Sequence, residues 1–127
     1  MRDFLFVTIT FCVALFVCAT VDAQTIATSS RSTVTGLIFY SNYDTTGGSN
    51  GPYGDVSFTL SGGTGISTPV TCNGFYIRGT DPGYKTVLTA VLTAYQAGAT
   101  IVVQANTSAG FWPGNGSSYC LVNDIEY

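Results

Sequence analysis

Apolar and polar residues alternate along most of this chain, and over most of its length the period is two. The cleanest run is Asp55-Val56-Ser57-Phe58-Thr59-Leu60-Ser61. Val56, Phe58 and Leu60 fall on one side and hydroxyls on the other, the pattern of a half-buried antiparallel strand. An earlier strand is predicted over residues 33–42, where Val34, Gly36, Ile38 and Tyr40 interleave with Thr35, Leu37, Phe39 and Ser41. Apolar residues on both of its sides predict a strand covered on both faces. A third is predicted over about 70–78, with Cys72, Phe75 and Ile77 as its apolar members. Residues 100–105 form a fourth, whose dense β-branching predicts a central position. A fifth covers about 118–126.

One segment breaks the period. Tyr84, Val87, Leu88, Val91 and Tyr95 recur every three or four positions, with Lys85, Thr86, Thr89, Thr93 and Gln96 on the opposite side. This is an amphipathic helix. Thr80 or Asp81 is its expected cap, Pro82 suits its first position, and Gly98 supplies the stop. Its β-branched residues lower intrinsic propensity, so tertiary packing must hold it. Residues 43–52 and 106–116, rich in Gly, Asn and Ser, read as two long loops, and Gly62-Gly63-Thr64-Gly65 as a shorter break. The order is β-β-β-α-β-β.

Ahead of these elements Arg2 precedes an apolar run from Phe4 to Ala19, then Val21-Asp22-Ala23 with small residues at cleavage positions. Residues 1–23 are therefore expected to be a removed signal peptide, too short and too interrupted by threonine to span a membrane. Residues 24–32, short, polar and aperiodic, read as a flexible lead-in. Residues 33–127 amount to a single domain's length of chain.

Cleavage would remove Cys12 and Cys18, leaving Cys72 and Cys120 as the sole pair, and an oxidising route makes a disulfide the expectation. Charged residues are 9% of the chain. Beyond residue 23 only Arg31, Arg78 and Lys85 stand against Asp44, Asp55, Asp81, Asp124 and Glu126. Three scattered cations cannot displace the counterions of a nucleic acid, so that partner is excluded.

Five strands with a helix between the third and fourth is the order of an OB-fold, a five-stranded Greek-key barrel. In that order the chain resembles the B subunits of bacterial AB5-type toxins. It also looks like small secreted proteins that carry Cys72-Asn73-Gly74-Phe75-Tyr76-Ile77, Asp81-Pro82-Gly83-Tyr84, Trp112-Pro113-Gly114 and Tyr119-Cys120 in this arrangement. The resemblance covers about 34–127. It implies a secreted module, extracellular or periplasmic, that binds cell-surface sugar and assembles as a ring.

The chain has no histidine, which removes the commonest general base and the commonest transition-metal ligand. No Gly-x-Ser-x-Gly elbow occurs. Asp124 and Glu126 lie two apart on one strand and read as a solvated face rather than a glycosidase pair. No catalytic residue, metal or cofactor is expected. Asp81 reads as a helix cap and Asp55 as the residue that opens its strand.

Binding has better material. Tyr43, Asp44 and Tyr53 lie in or beside the first long loop, and Phe111, Trp112 and Asn115 in the second. Aromatic rings can lie against a pyranose while amides and hydroxyls bond its oxygens, and in an OB-fold these two loops flank one binding surface. Asn106-Thr107-Ser108 and Asn115-Gly116-Ser117 match the N-glycosylation pattern. The expectation is a non-enzymatic module for an extracellular glycan or protein ligand. The alternative is an assembly protein forming a homo-oligomeric ring or fibre, with Thr86, Thr89, Thr93 and Gln96 lining its interior.

Overall fold

The computed structural model describes residues 24–40, 54–112 and 118–127. The expected signal peptide, residues 1–23, and the two segments 41–53 and 113–117 lie outside the described residues.

The described chain is mainly β with one helix. Its elements are β1 (Ile26–Thr28), β2 (Ser32–Phe39), β3 (Val56–Leu60), β4 (Gly74–Ile77), α1 (Tyr84–Ala97), β5 (Thr100–Phe111) and β6 (Tyr119–Glu126). The strands form one mixed sheet in the order β1-β5-β2-β3-β4-β6, with β5 pairing β6 as well. All neighbours are antiparallel except β4 and β6.

The expected five strands are thus six, because the expected flexible lead-in contains β1. Ile26–Thr28 lies opposite residues 104–106 of β5, and Ser32 and Thr33 lie opposite Ile101 and Thr100 of the same strand. Between them the Ser29 backbone N–H donates to the Val103 carbonyl, and Ser29 Oγ accepts from the Val103 N–H. Residues 26–39 are therefore one bent path that runs along β5 and then along β3. Its first part is polar and short, so the period-two signal is weak there.

The alternation read in β3 holds on its inner side: Val56, Phe58 and Leu60 are buried, and Phe58 and Leu60 pack with Phe75, Ile77, Ile101, Val103, Ala105 and Val122. The helix closes this core with Val91 and Ala94, backed by Tyr84, Val87 and Leu88. Tyr95, expected on its apolar stripe, is exposed, and Ala94 takes that place. Gly98 ends the helix as expected, at φ 62°, a left-handed conformation that costs glycine least. The start differs. The first-turn boundary falls at Gly83 with no side-chain cap, while Asp81 accepts the Tyr84 N–H through its carbonyl and pairs with Arg78 at 3.6 Å through its carboxylate.

The strand covered on both faces is β4, not the first long one. All four residues of β4 are buried, whereas Ile38 and Phe39 of β2 are 51% and 55% exposed. β4 lies between β3 and β6 with Phe75 and Ile77 in the main core, while Tyr76 joins a second cluster with Trp112 and Leu121, flanked by Tyr40 and Tyr119. Cys72 and Cys120 are bonded at a Cα–Cα distance of 5.6 Å, both buried in the main core. Among the described residues no helix is long and apolar enough to cross a membrane.

Candidate functional site

β5 runs to Phe111 rather than ending near 105, and this extension delivers Trp112 to the outer side of the sheet. There the indole is 1% exposed. Its ring packs against Tyr40 at 4.5 Å, Tyr119 at 6.2 Å and Tyr76 at 6.4 Å between centroids. A buried indole needs an acceptor for its N–H, and Asp55 supplies it: Nε1 donates to Oδ2 at 3.1 Å. The other carboxylate oxygen accepts the Gly79 N–H at 2.9 Å.

Asp55 is therefore more than the residue that opens its strand. It is 2% exposed and links β3 to the turn after β4 and to the end of β5. Burial pushes its carboxyl above the usual carboxylate range, against the two donated hydrogen bonds, which hold it down. Sequence reading missed this pair. A tryptophan beside a loop signals a need for an acceptor, yet nothing local indicates a carboxylate 57 positions away.

This clamp joins the bases of the two long loops. Tyr40 and Gly54 bracket residues 41–53 and are tied together by the Tyr40 N–H to the Asp55 carbonyl and the Gly54 N–H to the Tyr40 carbonyl. Trp112 leads into residues 113–117 and its N–H donates to the Tyr119 carbonyl on the far side. Tyr43, Asp44, Tyr53 and Asn115 lie outside the described residues. Of the sequence-derived site residues, Phe111 is 46% exposed and Trp112 is interior. Trp112 thus offers no open ring face for a ligand, because neighbouring rings and Asp55 occupy its surroundings.

Beside the clamp, on the same outer side, the β2–β3 pair carries a row of hydroxyls. Thr35 Oγ1 and Thr59 Oγ1 are 3.3 Å apart, and Thr33 Oγ1 donates to Ser61 Oγ at 3.0 Å. Next to this row opens a cleft of about 120 Å³ lined by Gly36, Ile38, Ser57, Phe58, Thr59 and Tyr119. The cleft exists because position 36 has no side chain: a Cβ there would stand 2.6 Å from Thr59 Oγ1. The Tyr119 ring forms another wall by lying over Gly74, whose own Cβ would meet it at 2.9 Å. Ser57, opposite Ile38 on one side and Tyr76 on the other, is buried, and its Oγ has no hydrogen-bond partner among the described residues. The strict alternation predicted a solvent-facing hydroxyl here. The hydroxyl is buried instead, on the central strand β3 between Ile38 of β2 and Tyr76 of β4.

The remaining candidates are dispersed. Asp124 and Glu126 are exposed, Asp124 bonded to the Ile125 N–H and Glu126 to Gln104. Thr89 and Thr93 donate to carbonyls of their own helix. Asn106, in the first glycosylation pattern, is buried in β5 with its side-chain oxygen held by Ser108. Among the described residues no group of three His, Cys, Asp or Glu side chains stands close enough to hold a metal ion. Comparison with known proteins finds none that matches, whether among family models, curated proteins or solved structures.

Proposed function

We propose that this chain is a secreted, non-enzymatic binding module of OB-fold type that recognises carbohydrate on the outer side of its sheet. Support for the fold comes from the pairing. β2 pairs both β3 and β5, β4 runs parallel to β6, and β6 returns to β5, a circuit suited to a small Greek-key barrel with β1 extending one strand. Support for secretion comes from the disulfide and the leader-like first 23 residues.

The observation that carries the functional reading is the uncharged cleft beside the hydroxyl row. OB-folds bind oligonucleotides or oligosaccharides on the face of their second and third strands, here β3 and β4, and β3 lines the cleft. Charge decides between those two classes. None of the described residues lining the cleft is charged, and of the chain's few cations beyond the leader Arg78 already pairs with Asp81, so among the described residues a polyanion finds no counter-charge. A sugar offers what the surface can use: hydroxyls for Thr33, Thr35, Thr59 and Ser61, and an apolar ring face for Tyr119.

A glycan array probed with the wild-type protein and Tyr119→Ala tests this. Wild type is expected to bind a restricted set of neutral glycans, and Tyr119→Ala to weaken that binding about tenfold, the loss of one good contact. Wild-type binding to no glycan, at protein concentrations up to the millimolar range, overturns the reading.

A further inference from the structure

Cleavage of the leader after Ala23, the position that Val21 and Ala23 mark, makes Gln24 the first residue of the secreted chain. Glutamine at a chain start has a reaction open to it that glutamine elsewhere lacks, because a free α-amine stands one five-membered ring away from its own side-chain carbonyl. An α-amine has a pKa of about 7.7–8.0, so an appreciable share of it is unprotonated and nucleophilic at neutral pH. Its nitrogen attacks Cδ of the same residue and a C–N bond forms. The Cδ–Nε2 bond breaks, and Nε2 leaves as ammonia with the proton that the α-nitrogen gives up. Nothing is oxidised or reduced, and no second reactant is consumed. The product is an uncharged pyroglutamyl lactam.

The fold leaves Gln24 free to react and fixes the chain directly after it. Gln24 is exposed, and the bond from its Nε2 to Asn123 Oδ1 is 3.4 Å long, beyond the usual range for such a bond. Asn123 is exposed too, so water takes the place of the departing nitrogen. At the next residue the Thr25 N–H donates to Ser108 Oγ at 3.3 Å. The Thr25 carbonyl accepts the Thr107 N–H at 2.9 Å and the Thr107 hydroxyl at 3.1 Å. Ring closure touches only the α-amine and side chain of Gln24, so all three bonds survive it. Trimming does not spare them. An exopeptidase that removes Gln24 and Thr25 takes away the acceptor of both Thr107 donors, and Thr107 is only 8% exposed, so their loss costs stability. It also leaves β1, three residues long and held on one side by β5, with nothing ahead of it.

We infer that Gln24 of the secreted chain is a modification site, closing to pyroglutamate and sealing the start of β1 against aminopeptidases, which require a free α-amine. This rests on the leader reading above, through the position of the cut.

The test expresses the full chain in a secreting host and weighs the N-terminal tryptic peptide, residues 24–31, by mass spectrometry of fresh medium. A synthetic peptide of the same residues passes through the same handling. The secreted peptide is expected to begin at residue 24 and to be lighter than the encoded one by one ammonia, to a far greater extent than the synthetic control. Gln24→Ala is expected to begin at residue 24 with its full mass. A broad-specificity aminopeptidase is expected to leave wild type intact and to shorten Gln24→Ala, whose thermal midpoint then falls. Wild type treated first with pyroglutamyl peptidase is expected to be shortened in the same way. A peptide that begins at residue 24 with full mass, or that has lost no more ammonia than the control, overturns the inference and leaves the leader reading standing. Equal survival of wild type and Gln24→Ala under the aminopeptidase overturns the sealing role. A peptide that begins at any other residue overturns both the inference and the position of the cut.

Discussion

At the scale of single residues the molecule's outer side turns on Asp55. Removing its carboxylate orphans the buried Trp112 Nε1–H and the half-buried Gly79 N–H, and leaving a buried donor unpaired costs about 1–3 kcal/mol. Asp55→Ala is therefore expected to lower unfolding free energy by about 2–4 kcal/mol, read by urea denaturation with Trp112 fluorescence as the probe. The pH dependence has a definite sign. Burial raises the native pKa of this carboxyl above its unfolded value; Arg78 lowers it, Asp81 raises it, and those two pair with each other. The native state then holds the proton more tightly than the unfolded chain. The stability contributed by Asp55 is fully present below the unfolded pKa and declines as pH rises through the native one. The difference between wild type and Asp55→Ala is expected to shrink over that window. A difference that grows with pH would mean that the two donated hydrogen bonds outweigh desolvation.

At the scale of elements, β4 carries the join between core and candidate site. Gly74 stands with its Cα beneath the Tyr119 ring and beside the Phe58 carbonyl, and an added Cβ would lie 2.9 Å from each. One of these neighbours is backbone and cannot swing away. Gly74→Ala is expected to destabilise by about 1–3 kcal/mol, as overpacking does, and to change the near-ultraviolet circular dichroism of the Tyr119–Trp112 stack. An unchanged spectrum would mean that β4 shifts and the ring does not. The same element shows how far pattern carries. Period two correctly assigned Val56, Phe58 and Leu60 to the buried side, and the period near 3.6 assigned Val87, Leu88 and Val91 to the helix face. Pattern says which residues share a side, however, and not what covers that side. Tyr76 alternates with core residues and is buried all the same, because Trp112 and Tyr119 arrive from a distant stretch of chain. For the same reason β1 escaped notice: Ile26-Ala27-Thr28 is a strand only because β5 lies beside it. Of the candidate site, the meeting of the two loop bases was legible from element order. The cleft was not, since it depends on two glycines and a tyrosine ring brought together across several strands.

For the molecule as a whole, the costliest link is the one between β4 and β6. These strands are parallel, so no tight turn can join them, and a helix and the twelve-residue strand β5 intervene. The disulfide spans this crossover. Cys72 lies two residues ahead of β4 and Cys120 sits opposite Phe75 in β6, closing a loop with a sequence separation of 48. In the chain-entropy account, opening a loop of that length gives the unfolded state about 4 kcal/mol, a large share of the roughly 5–15 kcal/mol that holds a small domain together. The double variant Cys72→Ala, Cys120→Ala is expected to lose about that amount and to melt on the order of 20 °C lower, which calorimetry measures directly. Hydrogen exchange locates the effect. If the bond works by shortening the crossover, every core amide loses protection together, because the whole domain unfolds more often. If protection falls only at residues 74–77 and 119–122, the bond instead pins one strand pair inside a domain that is otherwise held by its core. A loss below about 1 kcal/mol would mean that the unfolded chain keeps β4 and β6 close without the sulfur bridge.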